Sequence, residues 1–240
     1  MKQPVAVITG TASGIGAATA ALFRAEGWYV VGVDREAADP STADRFLVVD
    51  VSSEAAVEGL FESLRDLDRI DALVNNAAIS LRVPVTETTL GDWDRTMAVD
   101  LRGAFLTTRA AVPLMRERGG AIVNVSSVHA VATTDDASAY AAAKAGLVGL
   151  TRATALELAD HKIRVNAVLP GAVDTPMLRS GPDHAEHAQR IASQTPLGRI
   201  AEANEVAEAI LFLSDWQRSS FITGQTLVVD GGALARLSTE

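Results

Sequence analysis

Seven short runs of aliphatic and β-branched residues are spread along the 240-residue chain, and alanine-rich stretches separate most of them. Val5 to Thr9, Tyr29 to Asp34, Phe46 to Asp50, Ala72 to Asn75, Ala121 to Ser126, Arg164 to Leu169 and Thr226 to Val229 read as strands. They are continuously apolar rather than alternating, the pattern of strands covered on both faces. Residues 14–26, 53–67, 91–117, 139–159 and 203–214 read as helices. Strand and helix in this order specify an α/β fold, a doubly wound parallel sheet in one domain over residues 1–240. One crossover is short: about ten residues, Pro40 among them, separate Asp34 from the third strand, so no full helix is expected there. The longest irregular stretch, about 171–200, holds Gly171, Pro176, Gly181, Pro182, Pro196 and Gly198, and gathers His184, His187 and Arg190. It reads either as a substrate loop closing over a site or as a surface excursion containing a short helix.

Composition narrows what such a fold can serve. Lys and Arg total 21 against 30 Asp and Glu, a formal net charge of −9, which argues against nucleic acid or an anionic membrane as partner. There is no cysteine, so disulfides, thiolate zinc sites and cysteine nucleophiles are excluded, and no metal is expected. The opening MKQPVAVITG is too short in its apolar run for a signal peptide, and no run approaches the ~18 residues of a membrane span. A cytoplasmic protein is the expectation.

Directly after the first strand stands Thr9-Gly10-Thr11-Ala12-Ser13-Gly14-Ile15-Gly16, followed by an alanine-rich helix. Gly10 permits a tight turn, Gly14 a close backbone approach, and Gly16 close packing of helix on sheet, so the helix N-terminus can offer its N–H groups to a pyrophosphate. The spacing is G-x-x-x-G-x-G rather than the commoner G-x-G-x-x-G. At the end of the second strand, Asp34 is placed to accept from adenosine ribose hydroxyls and to repel a 2′-phosphate, which selects NAD over NADP. The competing readings are a strand-end turn for Asp34 and adenine stacking or a phosphate salt bridge for Arg35. The loop position before Gly14 is Ser13, not a cation that would favour NADP.

Tyr140-Ala141-Ala142-Ala143-Lys144 opens the fourth of these helices, and i, i+4 spacing puts both side chains on one face. A unit positive charge ~4 Å away at an effective dielectric of ~20 is worth about 4 kcal/mol, enough to bring a phenol that ordinarily titrates near pH ~10 toward neutrality. Such a phenol takes or gives an alcohol proton. Upstream, Ser126-Ser127 ends the fifth strand, at the sheet edge where open α/β folds build their sites, and a hydroxyl there can hold an oxygen on which charge develops.

TGTASGIG at 9–16, Asp50-Val51, Asn75-Asn76-Ala77-Ala78, NVSS at 124–127, YAAAK at 140–144, Pro170-Gly171-Ala172-Val173-Asp174-Thr175 and TGQTLVVDGG at 223–232 occur in one order over nearly the whole chain. In all of them the chain resembles the single-domain, NAD-dependent branch of the short-chain dehydrogenase/reductase family. The resemblance implies a seven-stranded parallel sheet and a homotetramer built through two long helices and the C-terminal strand. It makes Tyr140 the acid/base, Lys144 its partner and a ribose ligand, and Ser127 the residue polarising the substrate oxygen. Gly10, Ser13, Gly14, Ile15 and Gly16 would hold the cofactor with Asp34 and Arg35. Asp50 and Val51 would contact adenine, Asn76, Ala77 and Ala78 would line the adenosine side, Pro170 and Gly171 would also bind the cofactor, and Val173 and Thr175 would hold the carboxamide and so fix which nicotinamide face is offered. Two positions depart. Ala78 replaces the usual glycine, and Asp100 stands where the family has an asparagine that kinks a helix and holds a water through its main-chain carbonyl; a backbone role survives that change.

The implied activity is NAD-dependent interconversion of a secondary alcohol and a ketone. A non-catalytic NAD-sensing protein, or an epimerase or dehydratase on the same scaffold, stays open. For the substrate, His129 lies two residues past Ser127, where similar hydroxy-acid dehydrogenases place a contacting histidine, and Arg82 follows the fourth strand end. Together they suit a sugar, a polyol or a hydroxy acid; the alternative is that both are ordinary loop residues. Ala137 stands where the similar hydroxybutyrate enzymes carry a lysine, which disfavours that one substrate.

Overall fold

The computed structural model describes residues 3–37, 43–180 and 184–236. Seven strands, β1 (Val5–Thr9), β2 (Tyr29–Asp34), β3 (Arg45–Val48), β4 (Ala72–Asn75), β5 (Gly120–Val125), β6 (Ile163–Pro170) and β7 (Thr226–Val229), form one sheet in the order β3-β2-β1-β4-β5-β6-β7. Every pairing is parallel. The sheet is a single Rossmann-like domain, and its strand order reverses between β1 and β4, which opens a crevice at the carboxyl ends there.

Both faces of the inner strands β2, β1, β4, β5 and β6 are covered, which is why they are predominantly apolar. Ala6 and Ile8 face one side, with Phe23 of α1 (Gly14–Ala25) and Val206 and Ile210 of α7 (Ala203–Ser214). Val7 faces the other, with Leu60 and Phe61 of α2 (Glu54–Ser63), Leu106 and Met115 of α4 (Gly103–Met115), and Ala155 of α5 (Ser138–Glu157). One strand thus feeds two cores through its two-residue period.

The helix expected over 91–117 is two helices. α3 (Leu90–Met97) runs into a π-helical turn, Ala98–Arg102, and only then into α4. The stretch 171–200 contains α6 (His184–Gln194), a full helix with no buried side chain among the described residues. Its apolar stripe is Ala185, Ala188, Ile191 and Ala192, too small a set to announce itself by periodicity. α8 (Trp216–Ser219) is a single turn. Between β2 and β3 no helix occurs among the described residues; Pro40, Gly181, Pro182 and the His184 side chain lie outside them.

Candidate active site

The glycine loop is held in a path that side chains would block. Gly10 and Gly14 have φ of +75° and +57°, a region that favours glycine. A Cβ on Gly16 would stand 1.9 Å from the Gly10 carbonyl oxygen. Thr9 ends β1 level with Val33, and Gly10 N–H donates to the Val33 carbonyl at 2.7 Å, so the loop begins beside the end of β2. There Asp34 Oδ2 accepts from Ala12 N–H at 2.9 Å and Oδ1 from Glu36 N–H at 3.1 Å. The carboxylate braces the loop, and each oxygen retains a lone pair for a further donor. Arg35 is exposed and paired with Glu36 at 3.3 Å. Ser13 precedes α1 without a side-chain capping bond, so the helix's first N–H groups are left to a ligand.

From the other side of the crevice, Asn76 Nδ2 donates to the carbonyls of Thr9 (2.9 Å) and Gly10 (3.1 Å). Thr9 Oγ1 accepts from the N–H groups of Asn76 and Ala77, both at 3.0 Å. Ala77 and Ala78 are half-buried beside this brace. Past β6, Pro170 and Gly171 lead to Val173, which is buried, and Thr175, which packs over Gly14: a Cβ there would meet Thr175 Cγ2 at 3.2 Å. At the far end, Asp50 accepts from Ser52 N–H (2.9 Å) and Oγ (2.7 Å), and the hydroxyl holds its carboxyl below the usual range. Val51 is buried against Gly103. The cradle, its helix N-terminus and its uncommitted N–H groups fit a nicotinamide dinucleotide.

Tyr140 lies in the first turn of α5 and is half-buried; Lys144, one turn on, is 2% exposed. Lys144 Nζ donates to the Val125 carbonyl at 3.1 Å, stands 3.4 Å from Asp100 Oδ2, and lies 5.4 Å from the centroid of the Tyr140 ring. Asp100 is buried at the centre of the π turn, a feature that often marks functional sites. The kink that the resemblance implied is therefore this turn, but the side chain is engaged as well as the backbone. Burial pushes the Asp100 carboxyl above its ordinary range, and the Lys144 charge opposes that.

Ser127 is buried at the end of β5, and its Oγ accepts from His129 N–H at 3.2 Å, which leaves its own hydrogen to donate. The His129 ring packs edge-on against Tyr140, centroids 5.5 Å apart, and its Nδ1 is 2.7 Å from Thr133 Oγ1. Burial, seconded by Arg82, pushes the imidazole below its usual range. Arg82 is exposed and donates to Thr134 Oγ1 at 2.6 Å, so it borders the loop that carries His129. His187 and Arg190 pair with each other on α6 at 2.8 Å.

Sequence reasoning missed the support beneath these residues. Asn75 and Asn124 sit side by side on β4 and β5, joined at 2.8 Å, and Thr107, Thr108 and Thr151 tie them to α4 and α5. Threonines inside an apolar helical stretch, opposite asparagines at strand ends, were the available signal. Ser126 Oγ belongs to the same support, donating to the Lys144 carbonyl at 2.9 Å. Among the described residues no cluster of acids and histidines could hold a metal, and no helix is long and apolar enough to cross a membrane.

Residues 10–233 match the family model described as enoyl-(acyl carrier protein) reductase. A 3-oxoacyl-[acyl-carrier-protein] reductase, FabG, of Thermotoga maritima is 40% identical over 97% of this chain and 98% of its own. Trans-4-hydroxycyclohexanecarboxylate dehydrogenase of Sinomonas cyclohexanicum is 38% identical, over 98% of this chain and 94% of its own. Among solved structures, the aldohexose dehydrogenase of Thermoplasma acidophilum superposes with a TM-score of 0.93 at 35% identity, covering 99% of this chain and 96% of that one.

Proposed function

From the premise that the chain belongs to the short-chain dehydrogenase/reductase family, oxidoreductases of CH–OH groups that bind a nicotinamide cofactor, we propose that it interconverts a small polar secondary alcohol and its ketone with NAD(H). The observation that carries this reading is the meeting of Ser127, His129, Tyr140 and Lys144 at the carboxyl ends of β5 and α5's first turns, beside the glycine cradle.

When bound, the nicotinamide supplies or accepts the hydride. The chain manages the proton and the oxygen. Ser127 Oγ donates to the substrate oxygen and steadies charge that develops on it. Tyr140 Oη takes the alcohol proton in oxidation and returns it in reduction. The Lys144 ammonium favours the phenolate, and its burial keeps that field from being screened by solvent. Gly10, Ser13, Gly14, Ile15 and Gly16 hold the pyrophosphate. Asp50, Val51, Asn76, Ala77 and Ala78 take the adenosine, Pro170 and Gly171 line the cofactor, and Val173 and Thr175 take the carboxamide.

NAD preference is supported by the Asp34 carboxylate at the β2 end and by Arg35 being paired with Glu36 rather than left to a 2′-phosphate. The tenfold or greater preference expected in kcat/KM should narrow in Asp34→Ala; equal turnover with NADPH in the unmodified chain rejects it. A small polar substrate is supported by Arg82 and His129 at the rim and by the names of two relatives, which act on a hydroxy acid and on aldohexoses. The segment 171–200 would be the substrate loop. A screen for NAD⁺ reduction over sugars, polyols, hydroxy acids, cyclic alcohols and steroids tests this; preference for large apolar alcohols overturns the substrate class, and no NADH with any alcohol favours the sensing or epimerase readings. We extend the proposal to a cytoplasmic homotetramer, supported by exposed Leu156 on α5, Phe105 on α4, and Leu227 and Val228 on the β7 edge. Sedimentation as a monomer at micromolar concentration would contradict it.

A further inference from the structure

Among the described residues Asp100 is the only buried carboxylate and Lys144 the only buried lysine. Asp100 Oδ1 accepts from Ile79 N–H at 2.9 Å, which ties the π turn to the segment after β4. Oδ2 has no hydrogen-bond partner and faces the Lys144 ammonium at 3.4 Å. A protonated acid would leave its O–H there without an acceptor, aimed at a cation, so the geometry suits the carboxylate. The same ammonium lies against the Tyr140 ring. One positive charge is thus shared between a phenol and a buried anion.

We propose that Asp100 is a positioning residue acting through its side chain: its carboxylate pairs with the Lys144 ammonium, offsets part of that charge's field at the phenol, and so raises the pH at which Tyr140 exchanges its proton. This rests on the pairing of Tyr140 with Lys144 proposed above. A buried anion beside the ammonium offsets part of the field that would favour the phenolate. A unit charge ~10 Å away at an effective dielectric of ~20 is worth about one pH unit.

Several charges on neighbouring elements are engaged elsewhere. On α3, Asp92 bonds Thr89, and Arg95 acts on Asp50. Arg102 donates to the Ser52 carbonyl, and Arg109 of α4 pairs with Glu54 and Glu58. His129, with Arg82 behind it, faces Tyr140 from another segment.

The chain has two tyrosines, Tyr29 and Tyr140, so in a Tyr29→Phe background near-ultraviolet absorbance reads Tyr140 ionisation in the protein without cofactor or substrate. Asp100→Asn, which keeps the side-chain shape and the acceptor for Ile79, should move that midpoint down by about one pH unit and shift the acidic limb of kcat/KM for alcohol oxidation by the same amount. Asp100→Ser provides a second variant with the same expected direction. In a Lys144→Met background the Asp100→Asn shift should change in size, as a role through Lys144 requires. An absorbance midpoint unmoved in both Asp100 variants, or a shift identical with and without Lys144, overturns the proposal. Retained turnover in Tyr140→Phe would instead remove the catalytic reading, while the absorbance titration still judges Asp100.

Discussion

The two sides of the crevice are built by different means. On the cofactor side, the side chains that matter bond to backbone: Asp34 to the Ala12 N–H, Asn76 to the Thr9 and Gly10 carbonyls, Thr9 to the Asn76 and Ala77 N–H groups. On the side proposed for the substrate, surface side chains pair with one another: Arg82 with Thr134, Asp174 with Arg179, His187 with Arg190. A backbone bond fixes the path of the chain and cannot be exchanged without changing that path. A surface pair between side chains can be replaced while the fold stays, because it is worth little to stability. The glycine-loop side is therefore committed to one path of the chain, and the surface pairs opposite can be exchanged without changing it.

The comparison is broken if losses on the two sides are alike. The largest effect belongs to the centre between them: Tyr140→Phe should lower kcat by about 10³-fold or more while NADH binding, read by fluorescence, survives. Gly16→Ala comes next. Its Cβ has no room beside the Gly10 carbonyl, so Tm should fall by roughly 3–10 °C and NADH affinity by at least about tenfold. Asn76→Ala removes both braces on the glycine loop, and calorimetric titration should show NADH binding weaker by about tenfold. On the substrate side, Arg82→Ala and His129→Ala should raise KM by only about three- to tenfold with kcat and Tm nearly unchanged. A Tm loss in Arg82→Ala equal to that in Gly16→Ala would remove the distinction.

The smallest effect is a pH dependence. Burial lowers the folded-state pKa of His129, so between that value and the ordinary ~6.5 the unfolded chain binds the extra proton. Stability from this group is present above pH ~6.5 and lost as pH falls toward the folded value. Thermal melts of His129→Phe should decline less steeply than the parent from pH ~6.5 downward; parallel slopes would contradict the burial.

Much of this was legible in the chain itself. β1, β2 and β4 have the bounds their apolar runs announce, because strands buried on both faces carry a local signal; β7, an exposed edge strand, also keeps the bounds of its run. β3 is shorter and earlier than its run suggests, Arg45–Val48, because its end is the sheet's exposed edge. α6 is legible only as one of two alternatives for 171–200, without bounds, because little apolar sequence marks it.

By itself the sequence determined the inner strands, the glycine turn and the Tyr140–Lys144 spacing, since each depends on residues within a few positions of one another. Only the tertiary structure decided what Asp100 does. The π turn bends the chain between α3 and α4, and helix packing then seats its carboxylate against a lysine 44 positions away. Charge, burial and partner meet there through contacts that no local pattern encodes.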